Sequence, residues 1–185
     1  MIDGFTGWTE AVPIADQTAE TVSKAFFDSW ISRFGAPERV HTDQGAQFES
    51  AVFARTCELL GIQRSHTTPY RPQANGKIER FNRTLIQMLR KCMDDNPGSW
   101  EEHIPSVLMA YRSTPSKTTG FTPHKLVFGR EMRLGVDYGL PFPELPSSFE
   151  DLATRMAKTL EDSYKLARES IGNNRLKAKS RYDKN

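Results

Sequence analysis

RVHTDQGAQFESAVFARTCELLGIQRSHTT, residues 39–68, holds strand, turn, helix and strand signals in sequence. RVHTD is too short for a helix and runs into the turn DQGAQF, so it reads as a buried strand with Asp43 at its tip. Ser50 is placed to cap a helix through AVFARTCELL, and Gly61 to end it. IQRSHTT is a second strand candidate. Strand tips are where α/β folds gather functional groups, which draws attention to Asp43.

Upstream, Trp8, Thr9, Ala11, Val12 and Ile14 fit a strand after the GFTG bend, with Pro13 placing it at an edge or an end. Val22, Ala25, Phe26, Trp30 and Phe34 then recur every three or four residues, closed by Gly35 and Pro37, which predicts an amphipathic helix of about four turns. Downstream, the prolines, Asn75 and Gly76 of PYRPQANG (69–76) break regular structure ahead of a long helix from about Lys77 to Cys92. A helix from Ser99 to about Tyr111 and a short one around HKLVFG follow. EMRLGVDYGLPFPELPSS reads as an extended linker, and the spacing of Phe149, Leu152, Met156, Leu160, Tyr164, Ala167 and Ile171 predicts a long amphipathic helix ending in a solvated basic tail. The expected organisation is a core over 1–131, a linker over 132–147 and a helix with its tail over 148–185. Strands followed by strand–helix alternation give a mixed α/β sandwich with helices on the sheet faces. Phe26, Trp30 and Trp100 are assigned to its core.

Of the 185 residues, 37% are hydrophobic and 26% charged, ordinary for a soluble domain, and no stretch reaches the roughly 18 apolar residues of a membrane span. The acidic opening lacks the basic start of a secretory signal. Cys57 and Cys92 form no CxxC pair and the four histidines show no ligand spacing, so a zinc site is not expected and two buried free thiols are. Net charge is only +2, but residues 1–60 hold 4 basic and 9 acidic side chains while residues 61–130 hold 11 and 5. The middle of the chain therefore faces anions, a weak pointer to nucleic acid.

Asp43 at a strand tip and Glu79 in the first turn of a helix could each be surface carboxylates. Their combination is more specific. TDQGAQF, then PYRPQANG, then KIERFNRTL, with 35 residues between Asp43 and Glu79, resemble the catalytic core of integrases from retroviruses and gypsy-class LTR retrotransposons. In that DDE family a TDxGxxF motif carries the second acid and PxxNGxxER the third. GFTGWTEAVPI, WISRFGAPERVHTD and LMAYRSTPSKTTGFTPHKLVFGR extend the likeness along essentially the whole chain.

The resemblance implies a ribonuclease H-like fold, a C-terminal connector helix, and a polynucleotidyl transferase using Mg²⁺ or Mn²⁺, two ions in the complete enzyme, held by Asp43 and Glu79. Such ions take oxygen ligands and clamp an in-line displacement at phosphorus. MIDGFTGW matches the family's second strand, so Asp3 reads as a turn or strand-end residue. The first acid and first strand are then expected ahead of Met1, and the chain alone is expected to be inactive. The implied partners are element ends and target DNA, a homo-oligomer, no membrane, and action inside the cell, in the nucleus at integration. Lys77, Arg80, Arg83 and Arg90, with Tyr70, Arg71, Gln73 and Asn75 of the loop, are the expected DNA contacts; Arg83 and Arg90 share the helix face of Glu79. A solvated basic face and simple turn chemistry are the plain readings of the same residues. The competing function is a non-catalytic DNA-binding or assembly protein derived from an integrase.

Overall fold

In the computed structural model, residues 1–66, 76–95, 97–141 and 149–183 are described. The chain divides into two compact units, one of residues 1–2 and 10–107, the other of residues 3–9 and 108–185.

The first unit begins with α1 (Ala19–Phe26), where the Thr18 side chain accepts a hydrogen bond from the Thr21 amide. Asp16 in turn accepts from the Thr18 amide at 3.0 Å and from its hydroxyl at 2.7 Å, holding the Asp16 carboxyl below its ordinary range. The helix runs on through a π-helical stretch, Phe27–Ile31, into α2 (Ser32–Phe34), and stops at Gly35, whose φ is +81°. The predicted four-turn helix is therefore one continuous element with an extra residue in its middle. β1 (Arg39–Thr42) follows, then α3 (Ala46–Glu49), α4 (Ala51–Leu59) and β2 (Gln63–His66). Ser50 caps α4 as expected, its hydroxyl accepting from the Phe53 amide at 3.1 Å. Gly61, at φ +66°, reverses the chain into β2. β1 and β2 pair in parallel, Val40 against Arg64 and Thr42 against His66. Phe26, Ile31, Phe53, Cys57 and Ile62 form the core, with Trp30, Val40 and Phe48 packed against it. α5 (Gly76–Asp95) and the start of α6 (Trp100–Ser113) complete the unit.

Four expectations change here. β1 is half-buried rather than buried: Val40 and Thr42 turn inward while Arg39 and His41 stay exposed, because strand side chains alternate and these two are polar. DQGAQF is a turn only as far as Gly45, since Ala46–Glu49 close one helical turn. No strand forms over Trp8–Ile14; Thr9 holds a single bridge position, Pro13 cannot donate to a ladder, and Val12 and Ile14 are more than 40% exposed. Trp100, assigned to the core, is 45% exposed at the first position of α6.

In the second unit the Asp3 carboxylate organises the GFTG bend. Its Oδ1 accepts from the Phe5 amide at 3.1 Å, the Thr6 amide at 2.6 Å and the Thr6 hydroxyl at 2.6 Å. The buried Trp8 ring lies 4.3 Å from the Arg112 guanidinium, which also donates from Nε and Nη2 to the Thr9 carbonyl at 3.0 and 2.7 Å. Phe128 meets Trp8 edge-on. α7 (Pro123–Phe128) is capped by Thr122 and ended by Gly129 at φ +71°. A 3₁₀ turn, Gly135–Asp137, interrupts the stretch read as extended linker. α8 (Phe149–Tyr182) packs through Tyr164 on Phe5, and through Ser170 and Asn174 on the Thr118 carbonyl. The helix continues to Tyr182 through Arg175, Lys177, Lys179 and Arg181, so the basic stretch read as a solvated tail beyond the helix is itself helical. Its alternating long side chains and lack of Pro or Gly after Gly172 let the helical ladder propagate.

Candidate nucleic-acid and metal site

Every described residue of the expected site belongs to the first unit. Asp43 leaves the C-terminal end of β1 and is exposed. Its Oδ1 accepts from the Gly45 amide at 3.0 Å, and among the described residues Oδ2 has no hydrogen-bond partner. The first carboxylate oxygen thus sets the turn, and the second points away from that duty. This follows from the sequence DQG: a short acceptor followed two residues on by an unhindered amide forms the local bond that starts a turn.

Glu79 stands in the first turn of α5 and is likewise exposed. Among the described residues it is tied up in no ion pair. Helical spacing of four, three, four and three aligns Glu79, Arg83, Ile86, Arg90 and Met93 along one exposed stripe. Ile86 is 49% and Met93 38% exposed, and Phe81 is the one buried residue of this helix. Such a stripe is amphiphilic rather than purely basic. Arg80 is exposed on an adjoining face, with the backbone carbonyl of its own residue accepting from Thr84 at 2.9 Å. Lys77 is half-buried and, two positions before Glu79, faces the far side of the helix. Tyr70, Arg71, Gln73 and Asn75 lie outside the described residues.

Two exposed carboxylates are hard oxygen donors, and in donor type they fit a divalent ion such as Mg²⁺. Among the described residues no group of three or more His, Cys, Asp or Glu side chains is gathered closely enough to hold a metal. Asp3 lies in the second unit, where its Oδ1 accepts the hydrogen bonds of the GFTG bend.

Residues that spacing did not single out stand on β1, β2 and α3, the elements around the turn that carries Asp43. Arg64 of β2 donates to the Phe48 carbonyl at 2.7 Å and lies 3.7 Å from the Glu49 carboxylate, while His66 Nδ1 lies 3.8 Å from the other Glu49 oxygen. On the outer face of the strands, His41 Nδ1 meets the Ser65 hydroxyl at 3.1 Å. Cys57 is fully buried behind this layer, and burial pushes its thiol above the usual range, against a smaller opposing effect of Arg64. Cys92 is only half-buried, so one of the two expected buried thiols is not. Among the described residues no helix is long and apolar enough to cross a membrane.

The profile of the family described as integrase core domain matches residues 1–72. The Gag-Pol polyprotein of avian reticuloendotheliosis virus is 30% identical over 175 residues, covering 92% of this chain and 15% of that polyprotein. The retrovirus-related Pol polyprotein from transposon 412 of Drosophila melanogaster is 29% identical over 184 residues, covering 99% of this chain and 15% of that protein. Among solved structures, the HTLV-2 integrase catalytic core domain in complex with magnesium is 26% identical with a TM-score of 0.57, covering 67% of this chain and 79% of that one. The chain thus spans about 15% of the length of the curated relatives it matches. Strand-borne Asp43, helix-borne Glu79 and these likenesses, sequence and structure together, agree on an α/β fold of the ribonuclease H-like type, in a chain that is similar to the integrase catalytic cores of retroviruses and retrotransposons and matches the integrase core domain over residues 1–72.

Proposed function

We propose that this chain serves DNA integration by contributing two carboxylates, Asp43 and Glu79, and a basic helix face to metal-dependent 3′-end processing and strand transfer. The observation that carries the reading is the exposed stripe of α5, in which an acid able to bind a metal stands one turn from Arg83 and on the same face as Arg90. A divalent ion held there would supply Lewis-acid activation of the attacking oxygen and stabilise the leaving one. Asp43 offers Oδ2 from a strand end that the Gly45 bond keeps in one orientation. Glu79 offers its carboxylate from a helix whose dipole favours negative charge at that end. Arg83 and Arg90 hold backbone phosphates and so fix the register of the duplex without reading its bases. In the same reading Arg80, from the adjoining face of α5, and Lys77, Tyr70, Arg71, Gln73 and Asn75 are further DNA contacts.

Mg²⁺ and Mn²⁺ both suit these ligands. Because chromosomal DNA is the target, the reaction takes place where chromosomes are, and several copies of the chain assemble around the two element ends. The test is a strand-transfer assay with duplex oligonucleotide ends and Mg²⁺ or Mn²⁺, run on the chain and on an N-terminally extended version. Joining by the extended version, lost in Asp43→Asn and in Glu79→Gln, is the expected result. Joining that survives either substitution removes that residue from the site. Salt-sensitive DNA binding without joining in both versions supports the non-catalytic reading instead.

A further inference from the structure

Asp43 sits inside a closed circuit of hydrogen bonds. Starting from β1, its Oδ1 accepts from the Gly45 amide. The Gly45 carbonyl accepts from the Phe48 and Glu49 amides at 2.9 and 3.1 Å, which closes the single turn of α3. From the end of that turn, the Phe48 carbonyl accepts from Arg64 at 2.7 Å, and Arg64 lies on β2, paired with Val40 of β1. Arg64 is the only side chain in this circuit that reaches across from the neighbouring strand. It is steered by more than one partner: Glu49 lies 3.7 Å away and the Phe53 ring 6.0 Å from its guanidinium carbon.

A one-turn helix has almost no stability of its own, because nucleation is unfavourable and each end leaves backbone groups unsatisfied. α3 therefore depends on what holds its C-terminal carbonyl. A charge-assisted bond from a planar guanidinium is stronger and more directional than a neutral one. The Glu49 pair is a lesser contribution, since both side chains are partly exposed and such pairs are worth little. Without the Arg64 bond, α3 keeps the Phe48–Phe53 contact and the approach of His66 to Glu49, but the Phe48 carbonyl that ends the turn loses its charged donor, and the Gly45 amide is held less firmly in the place from which it orients the Asp43 carboxylate.

We infer that Arg64, supported by Glu49, is a positioning residue that orients Asp43 for a divalent cation by anchoring the turn that follows it. The inference rests on Asp43 being a metal ligand, as proposed above. Residues that orient a ligand in this way commonly change metal affinity by 10- to 100-fold when lost. The experiment is a Mg²⁺ titration of the ¹⁵N-labelled chain followed at the Gly45 amide, which reports the Asp43 bond directly, with thermal unfolding recorded in parallel. Arg64→Met is expected to raise the apparent dissociation constant about tenfold. Arg64→Lys, which retains a donor, recovers part of that loss, and Asp43→Asn abolishes the response. Glu49→Gln, a change at a half-exposed side chain, provides the same reading at smaller amplitude should Arg64→Met fail to fold. A Gly45 amide that titrates alike in wild type, Arg64→Met and Glu49→Gln overturns the inference while leaving Asp43 as a ligand. An Asp43→Asn variant that still responds removes the ligand assignment, and the inference with it.

Discussion

At the scale of single residues, burial separates side chains that composition treats alike. Cys57 has no exposed surface and its thiol is pushed up, so little thiolate forms at neutral pH; Cys92 is half-buried. With a thiol-reactive disulfide reagent at pH 8, one equivalent is expected to react promptly, at Cys92, and the second only as the protein unfolds. Two fast equivalents in the folded protein would contradict the packing around Cys57. Arg112 provides a second case. Its two bonds to the carbonyl of Thr9, a residue with no exposed surface, leave a buried acceptor unsatisfied if it is removed. Arg112→Met is predicted to lower stability by about 1–3 kcal/mol in a urea titration. A loss below about 0.5 kcal/mol would show the bond to be replaceable by water. Neither Arg112 nor Arg64 was legible in the sequence, because helical and strand periodicities identify which face a residue occupies and not which distant carbonyl it will reach. Arg112 and Thr9 are 103 positions apart. The turn that carries Asp43 and the helix start that carries Glu79, by contrast, could be read from local grammar, since DQG and the end of a Pro- and Gly-containing loop each set the local backbone.

At the scale of elements, the ends were easier to read than the packing. Thr18, Ser50 and Thr122 cap their helices through their own side chains, and Gly35, Gly61 and Gly129 take the positive φ that ends helices. Gly129 is constrained twice, since a Cβ there would also come within 3.3 Å of Leu160 on α8. Gly129→Ala should therefore cost about 1–2 kcal/mol for the left-handed backbone, with α8 packing adding to the loss. A neutral result in chemical denaturation would argue that α7 ends differently. The Trp8–Ile14 segment misled in the other direction: its residues favour strands in general, but Trp8 and Thr9 are buried with only a single bridge at Thr9, and beyond them Pro13 lacks a donor and Val12 and Ile14 are left uncovered. Trp100 was misplaced for a related reason, since a large aromatic side chain at the first position of a helix contributes to no periodic face. α5 has Phe81 as its one buried residue in 20 positions, whereas α4 buries both Phe53 and Cys57 within 9. Hydrogen exchange is predicted to be faster along α5 than in α4 in the absence of DNA, and to slow in α5 when DNA is added. Protection of α5 equal to that of α4 without DNA would mean that its exposed stripe is already covered.

For the whole molecule, the formal charge of +2 conceals the charge that matters, which is local. If Arg83 and Arg90 hold phosphates, the logarithm of the DNA-binding constant falls linearly with the logarithm of salt concentration, and replacing both with Gln reduces the slope by about 2. Weaker binding with an unchanged slope would place those side chains away from the backbone. The parallel pairing of β1 and β2 has a further consequence, for the order in which the first unit assembles. Strands that run the same way cannot zip from a hairpin; their ends meet only after the intervening crossover has closed, and that closure is slow until something holds it. The residues available to hold it are Phe53 and Cys57 of α4, packing on Phe26 and Ile31. Folding kinetics are accordingly expected to show Phe53→Leu slowing refolding, and Val40→Ala mainly speeding unfolding. On that pathway the hydrophobic layer forms first and the strand pair last, so Asp43 reaches its final position among the latest events of folding, and a destabilised core would be felt at the carboxylate before it is felt as loss of helix.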